Sequence, residues 1–318
     1  MNGALDNPAA WSAEQDKLYH QLIHLPEQVW KAAFEPDVAG ERSNLADSNS
    51  KVQGLLLTGD GVGMFAARLA QALLPINVAV QTAPEPHDVA ADWLTVQLLS
   101  PGQAAPSPQA DAVVVPADVE LPAGLLCARY DSSLPAAACL GAMLFSLCAL
   151  LERCGLLADT RSLARPVIAI LMQKAGAIAV GLDSEMNMAK KLAGRLDGGV
   201  PVFVPLLPEL ELVADLASAQ MNHLAGLPAK ALANVGDKDM PAAWREPPWM
   251  PVLLNRLDAN GLPVRSGTRP VELADAPELC AEGESLLERF FSLAYPLTLV
   301  AFYLSLLRED SSLQGECQ

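Results

Sequence analysis

Residues 54–74 read Gly54-Leu55-Leu56-Leu57-Thr58, then Gly59-Asp60-Gly61-Val62-Gly63, then Met64 through Leu74 (MFAARLAQALL), and this stretch decides the fold class. The run Gly54 to Thr58 is short, apolar and of buried-strand type. The glycine-punctuated turn Gly59 to Gly63 leads out of it, and Met64 to Leu74 is rich in helix-forming Ala, Leu, Met, Arg and Gln. Strand, glycine turn and helix open a crossover unit. The apolar runs Ile76 to Gln81 (INVAVQ), Trp93 to Leu99 (WLTVQLL) and Ala112 to Val115 (AVVV) follow as further buried strands, which predicts a parallel sheet in an α/β fold. Pro101 to Pro108 is rich in Pro and Ala and reads as a loop where a helix would be expected.

Upstream, Ala13 to Phe34 reads as two short helices broken at Pro26, and polar Glu35 to Ser50 as a loop. Downstream, Leu134 to Leu151 (LPAAACLGAMLFSLCALL) carries no charge and is just long enough to cross a bilayer. Its Ala, Gly, Ser and Cys content and its opening Pro135 fit better with a helix buried between lobes or subunits. Arg161 to Gly198 reads as helix with a glycine interruption, and Val200 to Val204 (VPVFV) as the first strand of a second lobe. Glu209 to Gly226 is helical, Ala231 to Val235, Pro251 to Arg256 and Pro270 to Leu273 are strand candidates, and Glu282 to Arg308 is a closing helix.

At 318 residues the chain exceeds the roughly 250–300 residues at which one core usually stops growing, so two lobes are expected. With 51% hydrophobic and 18% charged residues both cores can be filled. The net charge of −16, with no basic cluster, argues against nucleic acid as a partner. An anionic small ligand remains compatible, because a helix N-terminus and a few backbone N–H groups can hold a phosphate inside an acidic protein. The six cysteines, Cys127, Cys139, Cys148, Cys154, Cys280 and Cys317, form no CxxC pair and read as thiols of a reducing, cytoplasmic compartment. Met1 to Asp16 lacks the layout of a signal peptide, and a membrane partner is not expected.

Several stretches offer chemistry. The Gly59 to Gly63 turn, between a strand and a helix N-terminus, suits an anion or a sugar hydroxyl, and is otherwise a tight connection. A dinucleotide site would want an acidic residue ending the second strand, where Gln81-Thr82 stands. His223, beside Asn222, is a candidate proton shuttle, against the plainer reading of a surface or capping histidine. His20 and His24 lie four apart on one helix but lack a third ligand and read as a helix face, so no metal is expected. Asn187 to Lys191 supplies an amide and two cations, for which solvated lysines are the commoner meaning. No Walker loop, nucleophile elbow or paired carboxylates at a familiar spacing are present.

Taken together, Leu25-Pro26-Glu27-Gln28, the Gly59 to Gly63 turn, Asn187-x-Ala189-Lys190, and Gly283-x-Ser285-Leu286-Leu287-Glu288-Arg289 with Tyr303-Leu304-x-Leu306-Leu307 resemble the bifunctional phosphoglucose/phosphomannose isomerases. The resemblance implies two sugar isomerase (SIS) lobes, each a parallel sheet flanked by helices, over residues 1–157 and 158–318. It further implies a phosphosugar ligand and no cofactor; the expected homodimer rests on two apolar helices. The apolar stretches Leu134 to Leu151 and Leu293 to Leu307 agree with a subunit contact. The sequences part at the chemistry. The family's SxSGxTxE phosphate loop is matched by Ser100-Pro101-Gly102-Gln103-Ala104, keeping one serine and the glycine. Its Asn-Glu pair is matched by Asn222-His223, and its ring-opening histidine motif by Lys238 to Trp244. Carried over residue by residue, the resemblance makes His223 the base, places Lys238 near the ring oxygen, and makes Gly59, Asp60, Gly61, Ser100, Gly102 and Asn222 the substrate contacts. The expected activity is aldose–ketose isomerisation through an enediol, with a non-catalytic sugar-phosphate-binding or scaffolding role as the alternative.

Overall fold

The computed structural model describes residues 3–40, 52–75, 77–87, 89–90, 92–103, 105–232, 248–258, 262–264 and 276–315, with side chains at 3–4 and 310–315 left out. The chain divides into two compact units, one of His24–Ile168, the other of Met1–Ile23 together with Ala169–Gln318. Before His24 lie helices α1 (Gly3–Asp6) and α2 (Ala13–Ile23).

The first unit runs α3 (Leu25–Phe34), β1 (Asp37–Ala39), β2 (Gly54–Gly59), α4 (Gly61–Leu73), β3 (Ala79–Ala83), β4 (Trp93–Leu98), β5 (Ala112–Pro116), β6 (Leu126–Tyr130) and α5 (Leu140–Arg153), then enters α6 (Thr160–Ala177). Its sheet has the order β1-β6-β5-β4-β2-β3. Every pairing is parallel except that of the short edge strand β1 on β6. All residues of β2 and β5 are buried, as expected for central parallel strands covered on both faces. Gly54 is where a side chain would collide with the Trp93 ring, at 2.1 Å from a Cβ, so an indole closes the start of the sheet in the space a side chain would take.

The uncharged stretch from Leu134 becomes helix only at Leu140, and α5 is buried at every residue from Leu140 to Leu151. Within its own unit α5 packs on α3, α4 and β6. A Cβ on Gly141 would lie 2.7 Å from Leu25 Cδ1 and 2.9 Å from Val29 Cγ2, which shows how closely α3 approaches.

The second unit continues from α6 with α7 (Met188–Leu196), β7 (Val200–Pro205), α8 (Glu211–Leu224), β8 (Lys230–Ala231), β9 (Trp249–Arg256), β10 (Glu278–Ala281) and α9 (Leu286–Gly315). Its parallel sheet has the order β10-β9-β7-β8. That is the order β5-β4-β2-β3 of the first unit, so the two lobes repeat one topology without a sequence period. The candidate strand Pro270 to Leu273 lies outside the described residues, and β10 forms a little further on. Helix α9 packs on α7, α8, β10, α1 and α2. Its segment Leu286–Glu309 is long and apolar enough to cross a membrane by length and composition, yet 89% of its most apolar window is buried inside the protein, the mark of a core helix. The edge-on rings Trp11–Tyr19 and Trp11–Phe302, each with centroids 5.4 Å apart, help dock the N-terminal residues on α9.

Candidate functional site

In the first sheet β2 is flanked by β3 and β4, so the connections leaving β2 and β4 diverge and open a crevice at their carboxyl ends, the usual ligand position in such sheets. The candidate turn lies there. Asp60 caps α4 in extended conformation (φ −111°, ψ 169°), with its side chain making no capping bond. Gly61 follows at φ +46°, in the left-handed region, with open space where a Cβ would point. Gly59 and Gly63 serve a different need. A Cβ on either would sit 3.1 Å from the Leu98 carbonyl oxygen, so the turn rests backbone to backbone on the end of β4.

Across the crevice, Leu99 to Gln103 fold into a tight turn in which the Ser100 N–H donates to Gln103 Oε1 at 2.6 Å and Gln103 N–H to the Ser100 carbonyl at 3.2 Å. Gly102 takes φ +88°. The Tyr130 hydroxyl donates to the Leu99 carbonyl at 2.7 Å and fixes the root of this turn. Burial, with Cys139 adding to it, pushes that phenol above its ordinary range, so it stays a donor. Ser100 Oγ reaches back to the Asp60 carbonyl at 3.4 Å and to Asp60 Oδ1 at 3.5 Å. These contacts are long for an O–H donor, so the hydroxyl can turn to a ligand at little cost. Gly59, Asp60, Gly61, Ser100 and Gly102 are thus brought to one crevice, with Gln103 added as the side chain that shapes the serine turn. The α4 N-terminus favours an anion, while the Asp60 carboxylate accepts hydroxyl protons and opposes a second negative charge.

The remaining site candidates lie in the second unit. Asn222 is on the last turns of α8, where its Oδ1 accepts from Ala229 N–H at 3.1 Å and its Nδ2 donates to the Ala229 carbonyl at 3.4 Å. His223 follows it, exposed. Lys238 lies outside the described residues.

The Asn187 to Lys191 stretch departs from the solvated reading. Asn187 caps α7, its Oδ1 accepting from Ala189 N–H at 3.0 Å and Lys190 N–H at 3.1 Å. Lys190 is fully buried and only Lys191 faces solvent. Among the described residues no group of three or more His, Cys, Asp or Glu is placed to hold a metal. His20 and His24 pair instead with Asp16 at 3.5 Å and Glu27 at 2.8 Å.

No protein-family model and no curated protein matches the chain. Solved structures do. A glucose-6-phosphate isomerase-like protein from Thermus thermophilus aligns over 98% of each chain at 16% identity with a TM-score of 0.59. The C-terminal domain of glucosamine-fructose-6-phosphate aminotransferase from Francisella tularensis aligns over 95% of this chain and 98% of that one, at 11% identity and TM-score 0.61. Tagatose-6-phosphate ketose/aldose isomerase from Escherichia coli aligns over 93% and 94%, at 11% identity and TM-score 0.57. At these identities the likeness is one of fold, and the α/β architecture with parallel-dominated sheets flanked by helices is that of the SIS proteins.

Proposed function

We propose that the chain binds a sugar phosphate between the Gly59–Gly63 turn and the Ser100–Gln103 turn, and isomerises glucose 6-phosphate or mannose 6-phosphate to fructose 6-phosphate. The observation that carries this reading is the approach of Ser100 Oγ to Asp60 at the topological switch point. A hydroxyl, the α4 N-terminal amides and an acceptor carboxylate meet where phosphate and sugar hydroxyls need them. The fold neighbours, a glucose-6-phosphate isomerase-like protein and a tagatose-6-phosphate ketose/aldose isomerase, support the ligand class. In this reading His223 takes the C2 proton of the open-chain aldose and returns it to C1 through an enediol, with Lys238 assisting ring opening. The buried thiols Cys127, Cys139 and Cys148 support a reducing cytoplasm, and we propose a homodimer.

A second reading, binding without turnover, is favoured by one observation: the Asn222 amide is engaged on both sides by Ala229, and His223 beside it faces solvent. Proton exchange in heavy water, at C2 of glucose 6-phosphate and mannose 6-phosphate and at C1 of fructose 6-phosphate, followed by NMR, separates the two. Exchange that disappears in His223→Ala establishes enediol chemistry on this chain. Line broadening of the sugar phosphate without exchange, lost in Ser100→Ala, leaves binding alone, and neither signal from folded protein rejects both.

A further inference from the structure

Because β10-β9-β7-β8 repeats the order β5-β4-β2-β3, the second sheet has a switch point of its own, at the carboxyl ends of β7 and β9. Three charged side chains converge there. Glu209 lies on the short 3-10 turn Pro208–Leu210 after β7, Arg256 is the last residue of β9, and Arg289 belongs to the first turns of α9. Arg256 Nη1 is 3.3 Å and Arg289 Nη1 3.8 Å from the same Glu209 Oε1. Two guanidinium groups thus share one carboxylate oxygen, in a chain of net charge −16.

The geometry is that of a loosely occupied anion site rather than a structural bridge. A structural arginine–carboxylate pair is usually bidentate at about 2.7–2.9 Å, and neither contact here reaches that range. Among the described residues Arg256 Nε is buried and has no acceptor, a cost that a structural pair would have removed. Arg289, in contrast, is held in place from behind, Nε donating to the Gly283 carbonyl at 3.2 Å and Nη2 to the Glu284 carbonyl at 2.6 Å. All three side chains keep between 24% and 33% of their surface exposed, so the site opens to solvent.

We infer that this crevice binds a phosphate group, with Glu209 as a displaceable stand-in: a phosphate oxygen takes the Nε and Nη1 donors of Arg256, a second takes Arg289, and the Glu209 carboxylate swings to water. The cluster lies in the second unit and shares no residue with the Ser100 crevice, so the inference is tested independently of the function proposed above.

The test is inorganic phosphate titrated into the full-length protein at constant ionic strength, reading arginine side-chain Nε–H resonances, with Arg256 assigned by its absence in Arg256→Lys. The Arg256 Nε–H signal should move saturably with phosphate and stay still with sodium chloride. Glu209→Gln should tighten phosphate binding by about tenfold, since a competing charge is gone. Arg289→Lys should weaken it, and Ser100→Ala should leave it unchanged. A still signal in both the wild type and Glu209→Gln, or equal movement with chloride, overturns the inference. Movement abolished by Ser100→Ala assigns the phosphate to the first crevice and likewise overturns it.

Discussion

Lys190 Nζ lies 3.0 Å from Asp6 Oδ1, joining α7 to the first helix of the chain, and donates as well to the carbonyls of Val180 at 2.9 Å and Leu182 at 2.8 Å. The lysine side chain is 1% exposed and the aspartate 40%. An ammonium with those three acceptors is fully bonded, which is the condition under which a buried cation is tolerated. Truncating either end has unequal consequences. Asp6→Ala leaves the ammonium short of its counter-charge but still on two carbonyls and reachable by water from the aspartate side, and should cost about 1 kcal/mol in urea unfolding at neutral pH. Partial burial raises the Asp6 carboxyl, but the hydrogen bonds from Ser184 and Lys190, with the lysine charge, outweigh it and leave the group below its ordinary value. A depressed folded pKa contributes stability that is fully present above the unfolded value, near 3.9, and is lost as pH falls through the folded value. The stability gap between wild type and Asp6→Ala should therefore hold from neutral pH down to about pH 5 and close below about pH 4.

Asn222 makes a sharper contrast between a binding and a structural role. With its amide on both backbone groups of Ala229, it pins the turn between α8 and β8. Asn222→Ala should lower stability by about 1–2 kcal/mol, the cost of leaving partly buried backbone groups short of a partner. It should leave the midpoint of sugar-phosphate titrations unchanged. A shifted midpoint at unchanged stability would assign the amide to the ligand instead.

What the sequence shows and hides follows from how local each signal is. The β2–turn–α4 unit is legible because an apolar run, three closely spaced glycines and a helix-forming sequence sit next to one another. The pairing of Asp60 with Ser100 is partly legible, since both residues follow the ends of strands that a parallel sheet sets side by side. The burial of Lys190 is not, because its anionic partner lies 184 residues earlier in the chain. Strand β10 is hidden for another reason. Glu278-Leu279-Cys280-Ala281 is short and only half buried, and its strand character comes from pairing with β9, not from its own composition. The Glu209, Arg256 and Arg289 cluster draws on three separate stretches and has no local signature at all.

The two kinds of glycine in the candidate crevice should separate experimentally. Gly61 has room for a side chain but an unfavourable φ of +46°, so Gly61→Ala should cost about 1 kcal/mol through the backbone alone. Gly63 is helical, and the Cβ of Gly63→Ala would meet the Leu98 carbonyl at 3.1 Å and Leu98 Cβ at 3.3 Å. That substitution should push α4 off the end of β4 and widen the gap between Asp60 and Ser100. Gly63→Ala should accordingly weaken sugar-phosphate binding more than Gly61→Ala at comparable stability, as measured by titration calorimetry beside thermal unfolding. Equal binding by both would show that the width of this crevice is not what holds the ligand.

Cysteine reactivity tests the packing of the first unit directly. Burial pushes the Cys148 thiol up to about 12, with the Glu152 charge adding to it, and burial does the same for Cys139, also to about 12. At pH 8 a thiol of that pKa is thiolate in only ~10⁻⁴ of molecules, and a closed core keeps the reagent away as well. Cys154 and Cys280 are half-buried, and although Cys280 is raised too, by partial burial and the nearby Glu278 and Glu282 charges, a reagent can reach them. In native protein treated with a thiol reagent at pH 8 and mapped by mass spectrometry, Cys154 and Cys280 should be labelled first among the cysteines of the described residues. Cys139 and Cys148 should be labelled only at the rate of unfolding, and their rate should rise with urea in step with loss of structure. Rapid labelling of Cys148 in native protein would mean that α5 opens far more readily than a helix buried from Leu140 to Leu151 should allow.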